Sequence, residues 1–310
     1  MNEAGFDLIG FTGTSLPDFH GEALETWLKK GFAGDMAYMG REPERRSQPR
    51  KVLPSARSVI SLAVNYYHPD DPKPEGRASG RVAKYAYGID YHKILEKKLK
   101  KLAQFIRETG GVGTEARIYV DTGPVLEKAF AREAGLGFFG KNTNIITKNF
   151  GSWVFLASIF TNLELDRDAP HTGACGSCRI CIDHCPTEAL SGDYRMDATR
   201  CISYLTIESK SGVPENIRAD VGEWLFGCDI CQEVCPYNHK PQLTRHTELY
   251  PEKRAGSWIE LETIEKMQKD EAIGETFKQS PVKRAKLEGL LRNAAVVRNN
   301  ATGRGPEGRG

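Results

Sequence analysis

The stretch CGSCRICIDHCPTEAL, Cys175 to Leu190, sets four cysteines in the order C-x2-C-x2-C-x3-C and follows the last with Pro186. This spacing gives three thiolates to one [4Fe–4S] cluster and turns the fourth toward a second cluster. A shorter copy follows as Cys228, Cys231 and Cys235-Pro236, and Cys201 supplies the cysteine it lacks. The eight cysteines of the chain then fill two clusters with none left over. The motif assigns Cys175, Cys178, Cys181 and Cys235 to one cluster, and Cys185, Cys201, Cys228 and Cys231 to the other. Two all-thiolate zinc sites would use the same count, although their C-x2-C pairs seldom come in this run.

No cysteine lies outside the interval from Cys175 to Cys235. A disulfide scaffold would spread its cysteines through a small secreted domain, so metal ligation in a reducing compartment fits better. The chain has 310 residues, 39% of them hydrophobic and 27% charged, enough for a sizeable core split between two or three domains. No stretch approaches the ~20 apolar residues of a membrane span. The opening MNEAGFDLIGFTG lacks the basic-then-apolar layout of a signal peptide. A cytoplasmic protein without a membrane segment is expected. The net charge of +2 conceals a basic end, since residues 276–310 carry eight Lys and Arg against Glu288 and Glu307.

Upstream of the cysteines, strand and helix signals alternate. ARSVISLAVNYY, Ala56 to Tyr67, is apolar and β-branched between Pro54 and Pro69, which predicts a buried strand. Leu95, Leu99, Leu102 and Ile106 recur at helical spacing between Tyr91 and Thr109, with lysines on the opposite face and Gly110-Gly111 as the stop. A short strand, Ala116 to Asp121, a helix from Pro124 to Gly135, and two strands around Asn149–Gly151 follow. The polar segment Asp166 to Gly173 has the character of a linker. These signals divide the chain into an α/β domain over 1–165, a cysteine domain over 166–242, and a helical basic segment over 243–310 whose GRGPEGRG end lacks apolar residues and is expected to be disordered.

Three features of the first half invite chemistry. Gly135, Gly137 and Gly140 satisfy G-x-G-x-x-G, but a helix precedes them where a dinucleotide site needs a strand, so they read as a turn that ends a helix. Asp121 stands between a strand and Pro124. There it serves either as a helix cap or, at the mouth of a cofactor pocket, as an acid kept protonated by burial. Asp18-Phe19-His20 and Asp90-Tyr91-His92 begin the D-x-H-x-x-G pattern that supplies histidine to cobalt in one class of cobalamin proteins. Neither has the glycine, and both histidines read as surface or capping residues.

Asp121-Thr122-Gly123-Pro124, Gly140-Lys141-Asn142-Thr143-Asn144, the cysteine run, Arg200 to Thr206 (RCISYLT) and Gly227 to Pro236 (GCDICQEVCP) together resemble the epoxyqueuosine reductases, and the likeness spans nearly the whole chain. The resemblance implies an α/β nitroreductase-like cobalamin-binding domain, related to that of reductive dehalogenases, followed by a ferredoxin-like two-cluster domain and a short helical C-terminus. It implies an oxidoreductase that reduces the epoxide of epoxyqueuosine at the tRNA wobble position to queuosine, the final step of queuosine biosynthesis, through Co(I) cobalamin fed by two [4Fe–4S] clusters.

Carried over residue by residue, Asp121 matches the proton donor and the eight cysteines match the cluster ligands. Arg46, Asp121, Lys128, Gly140, Ile145, Thr147, Leu156, Ala198, Ser203 and Leu205 match positions around the corrin, with core packing the alternative for the hydrophobic ones. Longer members continue into HEAT-like repeats, of which KRAKLEGLLRNAAVVRNN is the first helix. Lys283, Arg284, Lys286, Arg292 and Arg298 are the candidate tRNA contacts, with a solvated helix face as the alternative. The expected partners are tRNA carrying epoxyqueuosine and an external electron donor, and the expected state is a monomer. A cytosolic reductive dehalogenase, a non-catalytic iron–sulfur electron carrier and an iron–sulfur protein that binds tRNA without altering it stand as rival readings.

Overall fold

Every residue of SVISLAVN, Ser58 to Asn65, is buried in the computed structural model of the protein, which describes residues 4–302. A strand buried on both faces needs a layer above and below it, and the chain supplies both. Its first half contributes strands β1 (Leu8–Gly13), β2 (Ser58–Asn65), β3 (Ser79–Val82), β4 (Ala116–Tyr119), β5 (Phe138–Phe139), β6 (Ile145–Ile146) and β7 (Val154–Thr161). Its helices are α1 (Asp18–Lys29), α2 (Pro43–Ser47), α3 (Tyr91–Gly110) and α4 (Glu127–Glu133). The central sheet runs β1-β2-β7-β4 with antiparallel neighbours throughout.

Register sorts the β2 side chains by parity. Ile60, Leu62 and Val64, opposite Ile159, Ala157 and Phe155, pack against Ile94, Leu95, Leu99 and Ile106 of α3. Val59 and Ala63 face the other way, toward Phe130, Ala131 and Ala134 in and beside α4. The α3 boundaries follow the sequence signals: the Asp90 side chain accepts the His92 N–H at the N-terminus, and Gly111 leaves the helix at φ 83°. Truncating the fully buried Leu99 to alanine would cost about 2–5 kcal/mol.

The next helix differs from expectation. It begins at Glu127, not Pro124, because residues 121–126 form a loop: Asp121 sits at φ 52°, and the Leu126 N–H is taken by the carbonyl of Arg46. A residue before proline also avoids helical backbone, which keeps Gly123 out of a turn of helix. At its other end α4 stops at Gly135, whose φ of 75° and approach to the Ala169 carbonyl, 2.8 Å from an added Cβ, exclude a side chain. The glycine run is thus the helix-ending turn that the sequence predicts.

The cysteine region adds α5 (Ile180–Asp183), α6 (Ile202–Ile207), β8 (Trp224–Phe226) and α7 (Ile230–Glu233). The last segment adds β9 (Trp258–Glu260), α8 (Leu261–Glu265), α9 (Asp270–Thr276) and α10 (Lys286–Ala301). One strand from each of the three sequence segments enters a second sheet, β8-β3-β9, with β3 parallel to β8 and antiparallel to β9. Val82, Tyr87, Phe226, Ile259, Leu290 and Val297 share one core beneath it, so the C-terminal segment is packed into the protein instead of trailing from it. The GRGPEGRG end lies outside the described residues. Among the described residues no helix is long and apolar enough to cross a membrane.

Candidate active site

The short helices α5 and α7 each lie within one cysteine run, where local turns gather the thiols. The Cys178 N–H donates to the Cys175 carbonyl, and the Gln232 and Glu233 N–H groups both donate to the Asp229 carbonyl. Cys175, Cys178, Cys181 and Cys235 line one cavity of about 260 Å³, where the Lys141 N–H also points at Cys175 Sγ from 3.4 Å. Cys201, Cys228 and Cys231 open instead onto a larger cavity, and Cys185 lies near enough to act electrostatically on Cys201 and Cys231. One cavity thus gathers four of the thiols and the other three, with Cys185 lining neither, and none of the eight is in a disulfide.

A zinc ion with Zn–S near ~2.3 Å would draw its ligands to a common point. Among the described residues no three His, Cys, Asp or Glu side chains converge in that way. Burial pushes the Cys181 thiol up to about 11 and raises Cys201, Cys228, Cys231 and Cys235 as well. Thiolates at these positions therefore need a cationic partner, and loading the site releases protons.

The larger cavity measures about 850 Å³, within the range of small-molecule and cofactor sites. Tyr85, Tyr91 and Phe155 give it flat aromatic walls, with Tyr91 stacked on Phe155 at 4.2 Å between centroids. Asn142, Asn144, Ser152 and Ser203 add amide and hydroxyl groups. Asp121 also borders it. The positive φ at Asp121 turns the chain sharply after β4, and three contacts hold it. Tyr91 Oη donates to Asp121 Oδ2 at 2.7 Å, His92 Nε2 stands 3.6 Å from the same oxygen, and the Asp121 N–H donates to Glu127 Oε2 at 2.9 Å.

These contacts reverse two expectations about Asp121. It caps no helix, since α4 starts six residues later. Nor is its carboxyl kept protonated: burial pushes it up, but the His92 imidazole facing it and the hydrogen bond from Tyr91 outweigh burial and hold it below the usual carboxylate range. The proton sits on its neighbours. Burial pushes His92 down, yet Asp121 and Asp90 together bring it up to about 9. Glu127, raised by burial first and by Asp121 second, reaches about 8.

Of the residues expected around a corrin, Asp121, Lys128, Ala198 and Ser203 line the cavity. Lys128 Nζ donates to the Thr143 carbonyl at 3.0 Å. The others sit elsewhere. Arg46 is buried beneath the Asp121 loop and donates to the carbonyls of Tyr38 and Gly123, where it braces the loop. Gly140 lies in a turn closed by Thr143. Ile145 and Leu205 are packed in hydrophobic clusters, Leu156 packs against the cluster that holds Ile145, and Thr147 is buried against Gly151. For Ile145, Leu156 and Leu205 the packing alternative describes their environment.

The candidate tRNA contacts also divide. Lys283 and Arg284 reach the cavity mouth, where Arg284 also pairs with Glu208, and Lys286 is exposed at the start of α10. Arg292 instead donates to the carbonyls of Ser209 and Lys210, and Arg298 holds Glu265 through two hydrogen bonds at 2.7 and 2.6 Å. Lys93, Lys97, Lys100 and Lys101 form an exposed basic stripe along α3, of which Lys93 borders the cavity.

Of the two histidines of the D-x-H patterns, His92 lies half-buried in the capped first turn of α3, its backbone N–H taken by Asp90, whereas His20 is not at the surface. His20 is buried with its Nε2 3.4 Å from Glu133 Oε1, and His92 faces Asp121. Tyr91, His92 and Glu127 are the site residues that sequence reasoning missed. The signal for the first two is Asp90-Tyr91-His92 at the head of a strongly amphipathic helix. Its resemblance to a cobalt-ligand pattern hides its use, which is to face a carboxylate.

Residues 46–122, ending one residue beyond Asp121, match the family model "Epoxyqueuosine reductase QueG, DUF1730". Residues 174–238, which hold all eight cysteines, match the "4Fe-4S double cluster binding domain". The chain is 41% identical to the epoxyqueuosine reductase of Leadbetterella byssophila over 96% of its own length and 95% of that protein. It superposes on the epoxyqueuosine reductase of Streptococcus thermophilus with a TM-score of 0.87 at 33% identity, covering 97% of this chain and 79% of that one. An epoxyqueuosine reductase bound to an epoxyqueuosine-modified tRNA stem loop matches equally well, with a TM-score of 0.87 at 32% identity over 96% of this chain and 79% of that one.

Proposed function

The chain belongs to the epoxyqueuosine reductase family, and from that premise we infer how its cavities are used. It is an oxidoreductase that converts epoxyqueuosine in tRNA to queuosine. The observation that carries the reading for this chain is that Asp121 and three thiols of the second set open onto one cavity. A group bound there would lie between an electron source and an acid–base residue.

The residues present fit the expected cofactors. The two thiol sets, Cys175/Cys178/Cys181/Cys235 and Cys185/Cys201/Cys228/Cys231, would each hold one [4Fe–4S] cluster. Aromatic faces beside amide and hydroxyl groups suit a flat macrocycle with an amide-bearing rim, so Asp121, Lys128, Ala198, Ser203 and their neighbours would hold cobalamin. When bound, cobalamin and the clusters supply low-potential electrons to the epoxide carbon; the protein supplies position and protons. Asp121 delivers a proton to the oxygen that leaves, Tyr91 fixes the carboxyl, and Arg46 and Glu127 hold its loop in shape.

The first thiol set takes electrons from the external donor, since its cavity is bordered by the half-exposed Tyr237. A wobble nucleotide lies in a single-stranded loop and is cheap to unstack, so it can enter over the aromatic wall. Lys283, Arg284 and Lys286, together with the α3 stripe, hold the flanking phosphates. In this reading the working unit is a monomer that meets its tRNA in the cytoplasm.

The test is direct. Anaerobic protein loaded with iron, sulfide and cobalamin is given a reductant and tRNA carrying epoxyqueuosine, and the nucleosides are analysed by mass. Conversion to queuosine is expected. Unchanged epoxyqueuosine with both cofactors bound would reject the reading.

A further inference from the structure

Turning an epoxide into an alkene takes two electrons and two protons, because the bridging oxygen leaves as water. The electrons come from the external donor that drives the reduction. Asp121 is a single carboxyl and can carry one proton at a time, so turnover needs a second group that loads it twice.

One residue is built into that position. His92 lies in the first turn of α3 between two carboxylates, with Nδ1 2.9 Å from Asp90 Oδ1 and Nε2 3.6 Å from Asp121 Oδ2. Asp90 also accepts the His92 backbone N–H at 3.1 Å, which fixes the residue as well as its ring. The Tyr91 ring stacks on the imidazole at 4.1 Å between centroids. His92 Nε2 is buried without a hydrogen-bond partner, so the Asp121 carboxylate is the acceptor it can reach by a small movement. The charged and titratable groups facing this pair are Asp90 and Tyr91 from α3 and its cap, Glu127 and Lys128 from α4, Arg284 from the turn before α10, Tyr38 and Tyr85.

We propose that His92 is the proton store of the reductase, loading Asp121 from its Nε2–H while Asp90 holds the ring through Nδ1. His92 acts through Asp121 and is a positioning residue, not one that meets the substrate. In the first half of turnover the Nε2 proton passes to Asp121 and on to the epoxide oxygen as one C–O bond breaks, which leaves a hydroxyl. His92, with a quarter of its side chain exposed, takes a new proton from solvent. The second proton follows the same route as the remaining C–O bond breaks, the C=C bond forms and water departs. The raised imidazole keeps the store filled at neutral pH.

This proposal rests on the reductase reading of the cavity, so its test includes a measurement that needs no turnover. Slow deuterium exchange at the His92 ring carbon, followed against pH by peptide mass analysis of the holoenzyme, should give a midpoint near 9, which falls in Asp90→Asn. A wild-type midpoint at the ordinary histidine value of about 6.5 would overturn the proposal even if the enzyme is active. In single-turnover assays His92→Gln should lose about 10- to 100-fold in rate, with tRNA affinity, iron content and cobalamin binding retained. The alkaline fall in the wild-type rate near pH 9 should disappear in that variant and move to lower pH in Asp90→Asn. A His92→Gln enzyme with the wild-type rate and pH profile sinks the idea; if that variant fails to fold, the exchange midpoints of wild type and Asp90→Asn decide.

Discussion

Tyr91 Oη donates to Asp121 Oδ2 at 2.7 Å, so the residue that opens α3 holds the loop that follows β4. The same helix packs Leu95 and Leu99 against the central sheet, which carries the register of the core directly into the site. Tyr91→Phe keeps the ring stacked on Phe155 and removes only the donor. A hydrogen bond to a charged group contributes about 1.5–3 kcal/mol, so turnover should fall by about 10-fold or more while thermal stability changes little. Equal rates for the two proteins would show that the hydroxyl does not fix the carboxyl.

Asp121→Asn keeps the shape of the loop and can still accept from Tyr91, but it cannot pass a proton. Cobalamin binding and iron content should be retained, and turnover should fall by roughly 10²-fold or more. Product formation and cofactor spectra on the same preparation check both halves. Near-normal turnover would remove Asp121 from the chemistry.

Cys201 lines the large cavity, whereas Cys178 lines the small one. Cys201→Ala should therefore lose about four of about eight irons and leave the first cluster in place. Cys178→Ala should disturb the first cluster and spare the second. Iron analysis with low-temperature spin resonance of the reduced proteins separates the cases, and a Cys201→Ala protein that keeps all its iron would break the grouping.

The strand over Ser58–Asn65 and the helix over Tyr91–Gly110 were legible because long apolar periodicity is local information. The thiol sets were legible because ligand spacing is stated in the sequence. The second sheet was not: β3, β8 and β9 have three or four residues each and pair across more than 140 positions, too short and too distant to leave a pattern. The conformation of Asp121 was hidden for a related reason. Its positive φ is imposed by Tyr91 and Glu127, one before it and one after it in the chain. Charge counting misplaced the free cations, since Arg292 and Arg298 are occupied by internal partners.

The exposed lysines of α3 are better placed to hold phosphates. Lys93, Lys97 and Lys101 lie at successive four-residue steps, rising about 1.5 Å per residue away from the cavity edge. Lys100 is partly occupied by Glu96 at 3.5 Å. Lys97→Glu with Lys101→Glu should weaken tRNA binding and flatten the dependence of log K on log salt by about one unit for each phosphate that is no longer held. Arg298→Gln should leave that slope unchanged and cost at most about 1 kcal/mol of stability. A salt slope unaltered by the lysine pair would move the tRNA path to another face.

Glu127 tests the electrostatics of the loop from the stability side. Its folded value near 8 lies above the ordinary 4.5, so the folded protein binds its proton more tightly than the unfolded chain does. The associated stability is fully present below about pH 4.5 and is lost as pH rises through 8. Glu127→Gln cannot ionise, yet its amide oxygen can still accept the Asp121 N–H. The variant should therefore melt near the wild type at pH 5 and progressively above it as pH rises from 5 to 8, with a constant gap beyond, measured on holoenzyme by calorimetry at fixed ionic strength. If the difference between the two proteins is the same at pH 5 and pH 9, Glu127 is ionised across that range, and the charge it would place beside Asp121 must then be balanced by Lys128 or Arg284.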